Sequence, residues 1–390
     1  MKSARILSPI DQVFTGQGAY PLEFVFAYAG RIDPDRLADS LRRTLALFPP
    51  VGSRLVRLGE GYGLEPCDEG WRFETAEAAV GFDRTTARQV FVDPVETVVG
   101  EPLARVRLTQ TPDGSVLGVG LSHAVADGFS YFYFLSAWSR VFHGRDVVPP
   151  SLDRTPLCPA EVDEDEAPLD SHGVREGCGL FLDERRPAIP RDRLRWTKRP
   201  FSSAELGRLL ESAQRDCPAR LSHNDVVAAW LWQTFVPQWV GAGEETAFLS
   251  CPVDVRRLLR GLPPTYFGCA VALAGAQIER ERLAGAGLPD LARRVRDAVA
   301  GIDEARARGA LRVIERLRRQ EGLAGFERLH VVHPRAGLLV TNLSRLPVRE
   351  IVFDAGPPVA FDILAPAERC AVILPAEDGL DVRICLPVTP

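Results

Sequence analysis

Two apolar elements stand back to back with only four residues between them, and this arrangement limits the fold more than any other feature of the chain. "SVLGVGLSH" (115–123) reads as a buried strand ending at His123, and "GFSYFYFLSAWSRVFHG" (128–144) as a buried helix stopping at Gly144. A buried strand feeding a buried helix calls for a mixed α/β core. The join also carries His123 and Asp127, two titratable groups four positions apart in an apolar stretch. Burying them costs free energy unless they are paired or used. The stretch is therefore a structural ion pair, an active site, or both. Gly128, following Asp127, permits a tight turn into the helix.

Histidine is the side chain whose pKa best suits proton transfer near neutral pH. The competing reading, a core histidine satisfied by a backbone carbonyl, is kept for His143, His172, His223, His330 and His333. A His-x-x-x-Asp pattern supplies two metal ligands and no third has useful spacing, so no metal site is expected.

With 390 residues the chain suits one large domain or two lobes of roughly 150 to 200 residues. A net charge of −5 gives no bulk attraction to nucleic acid or to an anionic membrane. The arginine-rich stretch 291–319 is interrupted by Asp297, Asp303, Glu304 and Glu315 and reads as a solvated helical face. No two of the eight cysteines lie at the spacing of a zinc or redox motif, which fits reduced thiols. "MKSARILSPIDQVF" lacks the apolar run of a signal peptide, and no stretch reaches the roughly 18 apolar residues of a membrane span. A soluble, cytoplasmic monomer is expected. Only Lys2 and Lys198 are lysines among 47 basic residues, a bias that points to a GC-rich, bacterial genome.

Strands are expected at 22–30, 53–58 and 104–110, and a helix at 33–49 with Asp33 as its cap and Leu37, Leu41 and Leu45 on one face. The proline-rich region 146–200, with its acidic run at 161–168, reads as a long surface crossover. The expected organisation is a first lobe at 1–145, the crossover, and a second lobe at 201–390. That second lobe begins with helices at 202–214 and 221–236 and continues as a strand entering a polar loop at 246–259. Late strands follow at 337–354 and 369–387, the latter a hairpin turning at "EDG".

"HAVADGFSYFYFLSAW" resembles the His-x-x-x-Asp-Gly motif of the BAHD acyltransferases, with Ser130, Phe134, Leu135 and Trp138 at the family's offsets. The resemblance runs along nearly the whole chain. It includes "LSPIDQ" (7–12), "LRRTLALFPPVGSRL" (41–55), "LSHNDVVAAWLWQ" (221–233), "PVDVRRLLRGLPPTYFGCAV" (252–271) and "TNLSRLPVREIVFDAGPPV" (341–359). There are departures. Ser53 separates Gly52 from Arg54, Cys269 stands where asparagine is common, and Leu343 stands where the family has tryptophan. The family's Asp-Phe-Gly-Trp-Gly signature, regarded there as structural, becomes Val352, Phe353, Asp354, Ala355 and Gly356. Condensation domains of the same superfamily carry His-His-x-x-x-Asp, whereas Ser122 precedes His123 here.

The resemblance implies two lobes of chloramphenicol-acetyltransferase type, each a mixed sheet with helices, and an active-site channel between them. It implies transfer of an acyl group from acyl-CoA, or from the same thioester on a carrier protein, to a hydroxyl or amine of a small-molecule acceptor in specialised metabolism. No cofactor is permanently bound. His123 is the implied general base and Thr341 the oxyanion donor. Asp127 is implied as a structural partner of Arg256, beside Gly128, with a dyad in which Asp127 orients His123 directly as the alternative, and Phe129, Leu343, Ser344 and Arg345 are implied in substrate binding. No Gly-x-Ser-x-Gly elbow occurs, and no acyl-enzyme is needed. Because fold does not fix function, a cyclase reusing the cavity and a non-catalytic binding module stay open as alternatives.

Overall fold

The computed structural model describes residues 4–16, 19–82, 88–160, 162, 168–184, 186, 189–240 and 243–387. Most of the acidic run at 161–168 lies outside these residues. The chain divides into two compact units. One comprises Met1–Cys158, Gly261–Ala270 and Leu346–Ala365, and the other Pro159–Arg260, Val271–Arg345 and Pro366–Pro390. The expected split near 145 and 201 is thus crossed twice by later segments that pack into the first unit.

The first unit is built on a five-stranded sheet in the order Ala360–Ile363, Pro21–Tyr28, Gly114–Ser122, Ala104–Thr111 and Trp71–Glu77. Gly114–Ser122 is buried at every position and sits in the middle, antiparallel to both neighbours. That is where a strand without a polar face must go. Helix Gly128–Phe142 follows it and is tied back by Tyr131, whose hydroxyl donates to the Val119 carbonyl at 2.9 Å. Phe132 meets Phe24 and Phe26 of the adjacent strand edge to face. Trp138 Nε1 donates to Ser40 Oγ, 2.9 Å away on helix Pro34–Leu47. Asp33 caps that helix through the amides of Asp35 and Arg36, and Leu37, Leu41 and Leu45 are its buried face. A smaller sheet joins Arg5–Ile6, Gly61–Pro66 and Ser53–Leu58.

The altered signature at 352–356 has a mechanical role. Phe353 is buried among Tyr28, Trp138 and Phe142. Gly356, at φ +82°, closes the turn back onto it, a conformation that favours glycine. Ser139 pins the segment by accepting from the Val352 amide and donating to its carbonyl.

The second unit holds a six-stranded sheet in the order Val271–Glu279, Thr246–Asp254, Gly337–Asn342, Cys370–Pro375, Leu380–Pro387 and Leu194–Phe201. The last of these corrects the reading of 146–200 as pure connection. Leu194–Phe201 pairs along its full length with Leu380–Pro387, and helix Ser171–Cys178 lies upstream. The strand expected over 337–354 stops at Asn342. The arginine-rich stretch forms parts of helices Leu288–Ala300 and Glu304–Glu321. Its arginines meet acidic residues three or four positions away, such as Arg293 with Asp290 and Arg308 with Glu304. Such pairs hold a solvated face at under about 1 kcal/mol each. All eight cysteines are free.

Candidate active site

His123 is the first residue beyond the central strand, where the sheet stops and the side chain is half-buried. Its imidazole lies flat on Phe14, with ring centroids 3.9 Å apart and planes 14° from parallel. Phe14 ends the short helix Pro9–Val13, which begins with a reciprocal cap between Ser8 and Asp11.

Asp127 is the N-cap of helix Gly128–Phe142. Its Oδ1 accepts from the Ser130 amide at 2.8 Å, and its Oδ2 from the Ala270 amide at 3.0 Å. A carboxylate is well placed there, against unpaired N–H groups at the positive end of a helix. Gly128 is the first residue of the helix and takes an ordinary helical conformation. Ser130 Oγ is bonded to both the carbonyl and the amide of Gly268. Gly268 sits at φ +150°, and a Cβ there would come within 2.4 Å of the Tyr266 hydroxyl. This accounts for glycine in "YFGC".

The next residue, Cys269, is fully buried against the histidine. Its Sγ is 3.5 Å from His123 Nδ1 and 3.0 Å from the His123 carbonyl oxygen. The Cys269 amide donates to Asp11 Oδ1 at 2.9 Å. Asp11 is fully buried, and its Oδ2 also accepts from Ser8 and from Arg154 Nε, the latter at 2.8 Å. Two adjacent amides, at 269 and 270, are therefore held by two carboxylates, Asp11 and Asp127.

Burial lowers the His123 pKa below its ordinary value near 6.5, against the pull of the Asp127 and Asp11 charges. The ring is a neutral base at pH 7. Burial would also lower the Arg154 guanidinium, but Asp11 beside it more than reverses this, and its pKa is raised. The other histidines that the structure ties down are structural. In the second unit, His333 Nδ1 accepts from the amides of Arg335 and Ala336, its ring stacks on Phe248, and burial lowers its pKa to about 4.

The first unit thus brings together His123, Asp127 and Gly128, with Phe129 exposed on the first turn of the helix. The remaining candidates belong to the second unit. Arg256 is buried, and its Nη1 donates to Asp254 at 3.1 Å. Thr341 lies on strand Gly337–Asn342 beside Val372, and its hydroxyl has no hydrogen-bond partner among the described residues. Leu343 donates its amide to the Ile373 carbonyl. Ser344 is bonded to Asn342 Oδ1, and Arg345 is exposed.

Sequence reasoning missed Phe14, Asp11 and Arg154 as companions of the histidine. The Ser-x-x-Asp spacing of a capping box was legible at 8–11 and pointed to a helix start, but nothing local connects position 11 with 154 or 269. What the assembly offers chemically is a neutral imidazole, flat against an aromatic ring, at the end of a rigid strand. That arrangement suits proton abstraction from a bound hydroxyl or amine.

A family model described as "Transferase family" matches residues 7–389. Among curated proteins, the chain is 29% identical to hydroxycinnamoyltransferase 2 of Oryza sativa subsp. japonica, covering 91% of this chain and 84% of that one. It is also 29% identical, with the same coverage, to a hydroxycinnamoyl-CoA:5-hydroxyanthranilate N-hydroxycinnamoyltransferase of Avena sativa. Among solved structures it resembles F. sporotrichioides TRI101, complexed with coenzyme A and T-2, at a TM-score of 0.74 and 17% identity, over 98% of this chain and 95% of that one. Vinorine synthase superposes with a TM-score of 0.71 and 17% identity, over 99% and 90%. At these identities the structural matches show a shared fold.

Proposed function

The chain belongs to the Transferase family of BAHD acyltransferases, enzymes that move acyl groups from CoA thioesters to hydroxyls or amines, and on that premise we propose that it acylates a small-molecule acceptor by general-base catalysis at His123. The observation that carries the reading is the neutral imidazole stacked on Phe14 at the end of the central strand. The acceptor's O–H or N–H gives its proton to the imidazole as its oxygen or nitrogen attacks the thioester carbon. The tetrahedral intermediate collapses, the C–S bond breaks, and the proton passes from His123 to the departing CoA thiolate. No acyl-enzyme is required.

The relatives' names give hydroxycinnamoyl and benzoyl transfer, with anthranilate, 5-hydroxyanthranilate and shikimate as acceptors. We therefore take an aromatic acyl-CoA as the first donor to test and a hydroxyl or amine on a small, ring-bearing acid as the first acceptor. The reading further takes the chain as a cytoplasmic monomer using free acyl-CoA. A carrier-bound thioester presents the same pantetheine arm and forms the second arm of the assay. The test is acceptor-dependent release of free thiol from hydroxycinnamoyl-, benzoyl- and acetyl-CoA, with product mass. Thiol release that ignores every acceptor, or no release from any donor, overturns the proposal.

Thr341 is proposed as the oxyanion donor, supported by its uncommitted hydroxyl. Thr341→Val keeps the shape and removes that hydroxyl. Turnover should fall toward about 10²-fold, the lower range for an oxyanion donor, with the donor KM little changed. A change confined to KM would make Thr341 a binding residue. The coupling of Asp127 with Arg256 is carried over from the family resemblance. Asp127→Asn and Arg256→Ala should each lower the melting temperature and activity, and the double variant should lose less than their sum by about 0.5–3 kcal/mol. Simple additivity would dissolve the pair.

A further inference from the structure

We infer that a cavity in the first unit, framed by Arg42, Asp68 and Trp71, is a binding site for a zwitterionic aromatic amino acid, separate from the site at His123.

The cavity holds about 710 Å³, within the usual range for small-molecule sites. The end of helix Pro34–Leu47, the turn at 48–52 that follows it and the turn at 67–70 that leads into strand Trp71–Glu77 frame it. The two turns are locked together. The Cys67 amide donates to the Gly52 carbonyl at 3.1 Å, and a Cβ on Gly70 would come within 2.6 Å of the Gly52 backbone. Backbone meets backbone there, which requires glycine at 70. Ser53, whose place between Gly52 and Arg54 departs from the family pattern, is buried and donates its hydroxyl to the Pro49 carbonyl at 2.8 Å. The departure is thus built into the rim. Gly52 itself keeps the cavity open. A Cβ on it would lie 3.8 Å from Trp71 Cδ1 and 3.9 Å from Leu45 Cδ2, in space that glycine leaves unfilled.

Leu45, Pro49, Pro66 and the half-buried Trp71 supply an apolar lining with an indole, which suits an aromatic ring. Arg42 and Asp68 bring opposite charges to the same cavity, yet they are not paired. Neither side chain has an ion pair or hydrogen bond among the described residues. A simple carboxylate would gain Arg42 but face the Asp68 charge. A simple amine would gain Asp68 but face Arg42. A molecule carrying a carboxylate and an ammonium on one carbon meets both, and repulsion turns away its singly charged analogues.

The cavity shares no residue with the histidine site. Trp71 pairs with Ala104, and Ala104 with Leu121, so Trp71 stands two strands, roughly 10 Å, from the central strand, at the end of the sheet where His123 follows. Leu103 spans the gap. Its amide donates to the Gly70 carbonyl, and its carbonyl accepts from the Ser122 amide. A ligand on Trp71 is therefore a neighbour of the His123 end and not the acceptor whose proton His123 takes.

Isothermal titration calorimetry of the full chain with L-phenylalanine should show saturable binding at one site. 3-Phenylpropionate lacks the ammonium and 2-phenylethylamine lacks the carboxylate. Each should bind at least about tenfold more weakly, the loss expected for one hydrogen bond between charged groups. L-Alanine, which keeps both charges and lacks the ring, should give no saturable heat. In Asp68→Asn, phenylalanine and 3-phenylpropionate should bind within a few-fold of each other, and in Arg42→Gln so should phenylalanine and phenylethylamine. Saturating phenylalanine should slow N-ethylmaleimide labelling of Cys67, half-buried in the same lining, and leave that of the exposed Cys158 unchanged, as read by peptide mass. Ala46→Trp, at an exposed position of the helix, fills the cavity and should remove both binding and protection. If that variant does not fold, the Cys67 protection in wild type decides. Absence of heat and of protection at millimolar phenylalanine overturns the proposal. So does equal binding of phenylalanine and 3-phenylpropionate by wild type, binding that survives Ala46→Trp, or displacement by CoA, which would move the ligand to the thioester site. None of these readouts involves acyl transfer, so the proposal stands or falls apart from the reading of His123.

Discussion

Replacing His123 with alanine should lower turnover by about 10² to 10⁴-fold, the usual contribution of a general base, in a protein that melts where the wild type does. The fold has little stake in the ring. His123 lies just beyond the strand, is half-buried, and touches Phe14 and Cys269 at its edge of the core. The acid side of the kcat/KM profile should report the same group. Burial lowers its pKa, so the ring stays neutral, and activity holds, as pH falls to the ordinary histidine value near 6.5. Activity is then lost at lower pH, as the imidazole takes up its proton. Wild-type turnover in a well-folded alanine variant, or an acid limb that survives the substitution unchanged, would remove His123 from the mechanism.

The largest stability effect is expected not at the histidine but beneath it. Arg154→Leu should cost about 3 to 5 kcal/mol, because it leaves the fully buried Asp11 without its counter-charge. At 2–4 °C per kcal/mol for a fairly large domain, this is a fall of roughly 6–20 °C in melting temperature. Asp11 would keep its bonds from Ser8 and the Cys269 amide, so the loss should lie toward the lower end. Adding Asp11→Asn removes the stranded charge and should restore part of the loss, a recovery that packing damage alone would not show. Arg154 Nη1 and Nη2 are buried without hydrogen-bond partners among the described residues, so leucine costs no bond there. Equal melting of wild type and Arg154→Leu would show the pair to be mechanically idle.

The parts of this molecule that could be read from the chain are those governed by neighbours in sequence. The strand before His123, the helix after Asp127 and the cap at Asp33 follow from apolar period and capping chemistry, and they stand within a residue or two of where those rules put them. Leu194–Phe201 was hidden because its strand character comes from pairing with Leu380–Pro387, nearly two hundred residues on, and its own burial is slight. The same holds at the site. His123 and Asp127 announce themselves by standing in an apolar run. Asp127 also had a local role, capping the helix that begins at the next residue, which its position could have suggested. Arg154 and Cys269 gain meaning only when the fold brings them to Asp11 and His123, and no spacing rule reaches that far.

The first unit is spliced from three runs of chain, and this has a bearing on how such a protein can change over generations. A gene fragment ending after residue 158 would encode the whole histidine motif but neither Gly268–Ala270, which braces it, nor Ala360–Ile363, which covers the outer edge of Pro21–Tyr28. Its product would carry an open strand edge, an invitation to aggregate. Recombination at a single crossover between relatives would join a motif from one parent to a brace from the other. New specificity in this lineage is therefore reached more readily by substitution in place than by exchange of halves.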